Sequence, residues 1–333
     1  MKYASIKTSN TENSLDGQLC CLHQNGKKLL KIPHNVIPNF RTLVEQGEEG
    51  TKNLQKYISQ QNESTYIPLE NVEIIAPLPR TFGWLDGSAF IQHVKLVRAA
   101  RNAPLPETLT TVPLMYQGGS DSFLSYNENI PLLNPNWGLD FEGEIGIVTK
   151  FVPQGTKAEN ALKYIFAFVM INDITLRELI PAELAQGFGF LQSKPSSTLS
   201  PYVVSLDEMI ENQAFDPLKG KLTVNFNTNL NGKFFGNPNL SDMFFSFYQL
   251  MEHATKTRSL APATIIGSGT VSNEDKSRGS SCIVEKRMIE IIESKVATTP
   301  YLQKNDVVEM NVFTSKGTSP EENIFGTIHQ VVG

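Results

Sequence analysis

Short stretches in which hydrophobic and polar residues alternate recur along the chain, and this pattern is typical of half-buried β-strands. The strongest alternation runs over residues 141–148 and predicts a strand whose two faces carry different residues. Phe141, Gly143, Ile145 and Ile147 would line one face, and Glu142, Glu144, Gly146 and Val148 the other. A continuous apolar run at residues 165–171 predicts a buried strand, so Asp173 would lie just past its end.

Turn residues mark where other elements end. Residues 221–231 alternate and close with Asn231 and Gly232, a pair that tolerates the positive φ of a type I′ hairpin turn. Thr156 and Glu159 have capping-box spacing, which predicts a short helix before the strand at residues 165–171. Further short strands are predicted at residues 18–21, 29–32, 283–293 and 307–313.

Helical spacing of apolar residues is found in three regions. Residues 88–101 carry apolar side chains near the i, i+3, i+4 pattern, and His93 shares their face. Residues 45–64 are polar with a few spaced apolar positions, which indicates one surface helix. A broad apolar stripe over residues 243–254 predicts a core helix capped by Ser241 or Asp242.

Pro77 and Pro79 mark the best candidate for a domain boundary, because prolines stop regular structure on both sides. Residues 1–76 are polar with short strands and predict a small N-terminal β domain. Residues 77–333 predict a second, larger domain. Strands outnumber helices, so the predicted fold class is β-rich α+β.

Composition places the chain among folded proteins. Its 333 residues are 40% hydrophobic and 19% charged, which excludes disorder and allows a sizeable core. The net charge is −5, from 34 acidic and 29 basic residues, so we expect no nucleic-acid partner. No apolar run approaches the roughly 20 residues that a bilayer requires, and no leader pattern opens the sequence. Three cysteines, two of them adjacent, favour the reducing cytoplasm over a disulfide framework.

Acidic residues are the main candidates for chemistry. Glu142 and Glu144 would share one face of a strand, and two like charges there are costly unless water or a cation compensates them. A solvated strand face is the alternative, but the apolar flanks favour a metal. Asp86, in a turn-like segment at residues 84–87, and Asp173 could add oxygens, although either could simply be a cap or turn former. Carboxylates without a His or Cys cluster suit Mg²⁺, Ca²⁺ or Mn²⁺ better than zinc.

Several common catalytic motifs are absent from the sequence. The glycine-rich segment at residues 267–270 has neither the lysine of a P-loop nor a G-x-G-x-x-G pattern, so ATP and nicotinamide chemistry are not supported. The chain also lacks the G-x-S-x-G turn of α/β-hydrolases and the H-E-x-x-H motif of zinc proteases.

Five separated segments stand out along the chain: DFEGE (140–144), MINDITLR (170–177), SKPSSTLSPY (193–202), GSGTVS (267–272) and the closing strand at 304–310. Their order and spacing resemble the fumarylacetoacetate hydrolase superfamily. The resemblance runs from about residue 75 to the end of the chain, and it implies that residues 77–333 form a fumarylacetoacetase-like catalytic domain. It implies the fumarylacetoacetase C-terminal type of mixed β-sandwich roll, with a small β domain before it, and it implies a homodimer.

The resemblance also assigns roles to individual residues. It implies that the metal ligands are Asp86, Glu142, Glu144 and Asp173. It implies that His93 is the general base and that Glu285, in a strand after the glycine turn, orients it; a lone His on an apolar face would otherwise be a core residue. Lys194 and Arg177 match positions that hold substrate oxygens or stabilise negative charge.

The substrate positions are implied in the same way. Tyr116 and Thr270 fall where the family contacts its substrate. Ile180 departs from the family, because fumarylacetoacetases carry a substrate-binding glutamine there.

The implied activity is metal-dependent hydrolysis of a carbon–carbon bond in a diketo acid of the fumarylacetoacetate or acylpyruvate type, as in aromatic amino acid catabolism. The cation would polarise the substrate, His93 would activate water, and Lys194 and Arg177 would offset charge on the oxyanion. Two alternatives stay open. One is an oxaloacetate-type decarboxylase or tautomerase or a keto-acid hydratase of the same superfamily, and the other is a non-enzymatic metal-binding protein.

Overall fold

A computed structural model describes residues 1–8, 15–100, 104–314 and 323–333. Its helices are α1 Phe40–Ser59, α2 Ile91–Ala100, α3 Ile180–Gln186, α4 Leu206–Glu211, α5 Phe247–Ala254 and α6 Ile283–Ser294. Its strands are β1 Lys2–Ile6, β2 Gln18–Leu22, β3 Lys28–Lys31, β4 Ile67–Pro68, β5 Ile74–Ile75, β6 Trp84–Gly87, β7 Met115–Gly118, β8 Leu139–Asp140, β9 Gly143–Thr149, β10 Ile165–Asn172, β11 Thr175–Leu176, β12 Thr198–Ser205, β13 Phe215–Asp216, β14 Lys221–Leu222, β15 Val224–Leu230, β16 Lys233–Gly236, β17 Ile265–Gly267, β18 Val307–Thr314 and β19 Ile328–Val331.

One large mixed sheet organises these strands. Its order is β4-β3-β2-β1-β12-β10-β9-β17-β6-β7, with β5 added beside β1. Neighbouring strands on this path pair antiparallel except β17 and β6, which run parallel. Strands β10, β9, β17 and β6 therefore lie side by side, although residues 86 and 173 are far apart in sequence.

A second sheet, ordered β16-β15-β18-β19, packs against one face of β9. Ile145 and Ile147 share an apolar cluster with Phe226 of this sheet, whereas Val148 belongs to the cluster on the opposite face. Helix α1 contributes to that opposite cluster through residues such as Phe40. The alternation predicted for residues 141–148 is confirmed, and so is the β-rich α+β class with a mixed β-sandwich.

The N-terminal strands extend the large sheet. Tyr3 of β1 pairs with Val203 of β12, so the hydrogen-bonded network crosses from the first residues into the second half of the chain. Strands β2 and β3 confirm the strands predicted at residues 18–21 and 29–32. The division into domains 1–76 and 77–333 stays a prediction.

Other predicted elements are also found. Strand β10 covers the apolar run and is buried along its whole length. Asn231 and Gly232 have φ of 53° and 70° and join β15 to β16, which confirms the hairpin. Strand β18 confirms the strand predicted at residues 307–313. Helix α2 confirms a helix within residues 88–101, although it begins only at Ile91, and Arg101 lies outside the described residues.

The strand predicted at residues 283–293 is wrong, because this segment is helix α6. The carboxylate of Asp140 accepts hydrogen bonds from the backbone nitrogens of Ile283 (2.7 Å) and Val284 (2.9 Å) at the start of the helix. These are donors that a helix leaves unsatisfied within itself. Because the acceptor lies 143 residues away, local sequence does not reveal it.

Several predicted boundaries also shift. Helix α1 begins at Phe40, because Asn39 accepts from the backbone nitrogen of Thr42 and caps it. Helix α5 begins after Ser246 rather than at Ser241 or Asp242, because Ser246 and Gln249 form a capping box. Local hydrogen bonds thus decide where these apolar stripes become helical.

Two further local predictions need correction. The short helix predicted before residues 165–171 is present as a 3₁₀ helix at Ala158–Tyr164. Its predicted capping box is wrong, because this helix has no side-chain cap and the hydroxyl of Thr156 donates to the carbonyl of Pro153 at 2.7 Å. The segment at residues 84–87 is strand β6 rather than a turn, because it pairs with a strand on each side.

The described residues include no helix with both the length and the apolar character needed to cross a membrane.

Gly143 gives the first testable prediction. A Cβ atom at this position would lie 2.3 Å from Cε1 of the buried Phe226, so Gly143→Ala forces the second sheet to move. We expect the free energy of unfolding to fall by about 1–3 kcal/mol, measured by urea denaturation. Gly119→Ala is the control, because the nearest atom to its added Cβ is 3.8 Å away, and it should change stability by less than about 0.5 kcal/mol.

Equal unfolding midpoints for Gly143→Ala and the parent protein would contradict this packing. Phe226→Leu replaces the facing ring by a smaller side chain. In the double variant with Gly143→Ala, the loss in free energy of unfolding should be smaller than the sum of the losses in the two single variants, because both sites share one contact.

Candidate active site

Three buried carboxylates meet where neighbouring strands of the large sheet end. Asp86 comes from β6, Glu144 from β9 and Asp173 directly follows β10. One oxygen of each lies within 4.8 Å of the others. Within the described part of the chain, Asp86 Oδ1 and both oxygens of Glu144 have no hydrogen-bond partner. Buried anionic oxygens without donors are costly, and an all-oxygen set of this kind suits a hard divalent cation.

Burial also changes the proton affinity of these groups. Loss of water, followed by the charge of Asp173, raises the pKa of Asp86 well above its ordinary value. Loss of water, followed by the charges of Asp86 and Asp173, raises the pKa of Glu144 in the same way. The charge of a cation among the three carboxylates would oppose both pKa shifts, because it favours the ionised forms.

Lys194 brings a positive charge to the edge of this carboxylate group. Its Nζ donates to Asp173 Oδ2 (2.6 Å), to Glu142 Oε2 (2.6 Å) and to Thr175 Oγ1 (2.9 Å). Burial lowers the pKa of the ammonium, but the charges of Asp173 and Glu142 outweigh burial and raise it. The two carboxylates thus favour the charged form of Lys194.

Glu142 lies between two cations. Its second oxygen, Oε1, accepts from Nη2 of Arg177 at 2.6 Å. Although burial raises the pKa of Glu142, Arg177 and Lys194 lower it below its ordinary value. Both oxygens of Glu142 face these cations, so it stands beside the group formed by Asp86, Glu144 and Asp173 rather than within it. Its role as a fourth metal ligand stays a prediction.

Asp140 is a functional candidate that sequence reasoning missed. It is fully buried, and besides the start of α6 it accepts from Nε of Arg177 at 2.8 Å. It thereby links the arginine to the helix that carries Glu285. Its place in the DFEGE segment was the available signal, but the partners that define its role come from distant parts of the sequence.

His93, on α2, and Glu285, on α6, face each other. Glu285 lies in the first turn of α6, so its predicted strand position is corrected. His93 Nδ1 is 3.7 Å from Glu285 Oε2, while Glu285 Oε1 accepts from the hydroxyl of Ser272 at 2.7 Å. The His–Glu separation exceeds a hydrogen bond, as is common for catalytic pairs without substrate.

Tyr116 also reaches the carboxylates. Its hydroxyl donates to Asp173 Oδ2 at 2.6 Å, and its ring meets Phe190 edge-on at 5.3 Å. Ser197, which sequence reasoning missed, donates to Asp173 Oδ1 at 2.5 Å. Asp173 is therefore oriented from two sides.

Two other positions singled out in the sequence lie outside this network. Thr270 is buried in the turn after β17, and its hydroxyl makes no hydrogen bond to the other predicted site residues within the described part of the chain. Ile180 is the first residue of α3. The site roles of all these residues remain predictions.

The raised pKa values predict how pH affects the metal-free protein. Folded Asp86 and Glu144 retain protons that the unfolded chain releases above the ordinary carboxyl pKa of about 4. The free energy of unfolding in EDTA should therefore fall as pH rises from the ordinary range through the raised values, because the native state binds more protons. Urea denaturation at several pH values measures this slope.

The double variant Asp86→Asn, Glu144→Gln is the control for that measurement. The amide side chains at these positions do not titrate, so the free energy of unfolding of this variant should fall less steeply with pH than that of the parent protein. Identical slopes for the two proteins would contradict the assignment of the raised pKa values to this pair.

Family models match nearly the whole chain. Fumarylacetoacetate (FAA) hydrolase C-terminal matches residues 83–332, and Fumarylacetoacetase N-terminal domain 2 matches residues 1–80. An uncharacterised protein of Archaeoglobus fulgidus is 25% identical over 61% of this chain and 73% of its own length. An uncharacterised protein of Staphylococcus aureus is 32% identical over 40% of this chain, and the match spans 41% of the relative.

Solved structures share the fold over the full chain. A fumarylacetoacetate hydrolase from Exiguobacterium antarcticum has a TM-score of 0.68 at 16% identity and covers 100% of this chain and 99% of its own. A maleylpyruvate hydrolase from Sphingobium sp. SYK-6, in complex with manganese(II) and pyruvate, has a TM-score of 0.66 at 12% identity and covers 100% and 98%. A 5-carboxymethyl-2-hydroxymuconate delta-isomerase from Mycobacterium smegmatis has a TM-score of 0.62 at 17% identity and covers 100% and 99%.

These similarities confirm the resemblance seen in the sequence motifs. They also confirm the fumarylacetoacetase type of fold, including its N-terminal part. Because the C-terminal family model covers far more than half of the chain, the protein belongs to the fumarylacetoacetate hydrolase superfamily.

Proposed function

We propose that this protein is a divalent-cation-dependent hydrolase that cleaves a carbon–carbon bond in a diketo acid of the fumarylacetoacetate or acylpyruvate type. The observation that carries the proposal is a juxtaposition. Three buried carboxylates, two partly buried cations and a histidine–glutamate pair converge at one end of the large sheet.

The carboxylate group has the composition that a hard cation requires. Asp86, Glu144 and Asp173 would hold the ion, with Glu142 as the fourth predicted ligand. A bound divalent cation supplies Lewis-acid polarisation and a template for substrate oxygens. Mg²⁺, Ca²⁺ and Mn²⁺ all suit these donors, and the solved relative with manganese and pyruvate supports an ion of this class beside a keto acid.

The other residues would divide proton transfer and charge stabilisation between them. His93 takes a proton from water, and Glu285 orients the imidazole and offsets its positive charge. Lys194 and Arg177 remain charged and stabilise the oxyanion that forms when hydroxide adds to the carbonyl carbon. Tyr116, beside Asp173, is placed to contact substrate at the same edge.

The proposal extends to the cell compartment, the oligomeric state and the partner of the protein. The three cysteines are buried and free, which supports a reducing compartment such as the cytoplasm. The family resemblance supports a homodimer. The proposed partner is a small keto or diketo acid.

A second candidate function uses the same site. The solved isomerase of the same fold favours an isomerase, tautomerase, decarboxylase or hydratase acting on a related keto acid. Such reactions also pass through an enolate, which Lys194 and Arg177 could stabilise equally well. Ile180, in place of the family's glutamine, further separates this chain from fumarylacetoacetases.

A substrate panel tests the proposal and separates the candidates. Acylpyruvates, fumarylacetoacetate, maleylpyruvate, oxaloacetate and an unsaturated keto acid are assayed with Mg²⁺, Mn²⁺ or EDTA, and the products are identified by mass. Two carboxylic acid fragments from an acylpyruvate or fumarylacetoacetate support the hydrolase. Carbon dioxide, an isomer or a hydrate as the only product overturns it in favour of the second candidate, and no turnover favours a non-enzymatic metal-binding protein.

His93 should matter for turnover more than for metal binding. We expect His93→Ala to lower kcat by about 10² to 10⁴, the range for loss of a positioned general base, while calorimetry shows nearly unchanged affinity for Mn²⁺. His253→Ala is the matched control, because this histidine lies on α5 and belongs to neither group of potential metal ligands. A large fall in melting temperature for His93→Ala would instead indicate a packing role.

Metal affinity should depend unequally on the two glutamates. Glu144→Gln removes one of the carboxylates without hydrogen-bond donors and should weaken Mn²⁺ binding by about 10-fold or more. Glu142→Gln should weaken it less, because Arg177 and Lys194 already occupy the Glu142 oxygens. Calorimetry measures both, with the exposed Glu159→Gln as control. Unchanged affinity in Glu144→Gln would remove this residue from the metal site.

A further inference from the structure

A second group of potential ligands lies next to the carboxylate group. His93, Cys282 and Glu285 each offer one atom, and these atoms lie within 4.8 Å of one another. The backbone of Cys282 forms a bridge with that of Glu142, so this second group adjoins the strand that carries the glutamates. Cys282 has no part in the proposed hydrolytic chemistry.

Two atoms of this group lack the partners that buried polar atoms normally have. Glu285 is 1% exposed, yet its Oε2 has no hydrogen-bond partner among the described residues, and the same holds for His93 Nδ1. Both atoms face each other at 3.7 Å. An unpartnered buried carboxylate oxygen is costly, so this group of side chains favours a positive ligand.

The donors differ in kind from those of the carboxylate group. Sulfur, imidazole nitrogen and one carboxylate oxygen are the ligand types that Zn²⁺ prefers, whereas oxygen-only sets select harder cations. Burial, together with the charges of Asp140 and Glu285, raises the pKa of the Cys282 thiol.

We propose that His93, Cys282 and Glu285 form a zinc site whose occupation inhibits the enzyme. Zn²⁺ replaces the thiol proton, which leaves to solvent, and it accepts the imidazole lone pair and a Glu285 oxygen. A water molecule completes the tetrahedron. No oxidation or reduction is involved. The ligand distance of 3.7 Å already suits neighbouring corners of such a site, since bonds of about 2.0–2.3 Å place ligands roughly 3.3–3.8 Å apart.

Inhibition follows from the identity of the ligands and rests on the proposed function. A zinc-bound imidazole cannot accept a proton from water, and Glu285 can no longer orient it. The side chain of His93 is partly exposed, so the ion can enter from that side. Mg²⁺ or Mn²⁺ would stay bound to Asp86, Glu144 and Asp173, because this carboxylate group shares no residue with the zinc site.

The alternative is that Cys282 only packs. It belongs to an apolar cluster with Leu96, Val284 and Met288 between α2 and α6. A purely packing cysteine predicts no thiolate signal with any metal, so the two roles are separable by spectroscopy.

Cobalt provides the direct probe of the site. Co²⁺ is titrated into the full-length protein in the presence of excess Mg²⁺, and the thiolate-to-cobalt charge-transfer band in the near ultraviolet is recorded. We expect one equivalent to produce the band, Cys282→Ala and Cys282→Ser to abolish it, and Zn²⁺ to displace it. The matched control is Cys20→Ala, another buried free cysteine, which should retain the band.

Absence of the band in the parent protein, or its persistence in a folded Cys282 variant, overturns the site. Circular dichroism of both Cys282 variants establishes folding, and two substitutions keep the test usable if one of them fails to fold. This readout needs no substrate, so it stands even if the hydrolase proposal fails.

Activity then tests inhibition. With Mg²⁺ in excess, the Zn²⁺ concentration giving half inhibition should rise about 10-fold or more in Cys282→Ala but not in Cys20→Ala, each variant being compared with its own activity before zinc is added. Equal zinc sensitivity of the two variants would place inhibition at the carboxylate group and overturn the inhibitory role. A cobalt band without zinc inhibition would also overturn that role.

Discussion

Repulsion among buried carboxylates is the constraint on which the rest of this site depends. Asp86, Asp140, Glu142, Glu144 and Asp173 are all buried near one end of the large sheet. Ionised carboxylates in such a place require compensation, and the chain provides it unevenly. Asp140 and Glu142 are compensated by Arg177 and Lys194, whereas Asp86 and Glu144 are not. This imbalance separates a structural ion-pair network from a group left open to an external cation.

The same network fixes geometry as well as charge. Arg177 joins Asp140 to Glu142, and Asp140 also holds the start of α6. The helix that positions Glu285 is thus tied to the strand that carries the candidate metal ligands. A disturbance at Asp140 would reach the arginine, the glutamates and the histidine partner together, so its effects on binding and turnover would not be separable.

Much of the fold could be predicted because its signals are local. The alternation around β9, the apolar run of β10 and the Asn231-Gly232 turn each act within a few residues, and each was identified correctly. What could not be predicted depends on distant partners. Residues 283–293 form a helix with Asp140 accepting at its start, and the 84–87 segment becomes a strand because it has partners on both sides. The family motifs located the residues that converge, but neither the pairing of Glu142 with two cations nor the role of Ser197 follows from spacing alone.

The pairing of β1 with β12 has a consequence for how the protein is made. Val203 lies 200 positions after Tyr3 in the sequence, so the pair forms only once that stretch has been synthesised. At translation rates of about 5–20 residues per second, strand β1 would wait about 10–40 s for this partner. During that interval the edge of β1 that later pairs with β12 has unpaired backbone N–H and C=O groups, which any extended chain nearby can bind. The nascent chain is therefore exposed to mispairing at β1 during this interval, and a chaperone that shields this edge would act on residues outside the candidate active site.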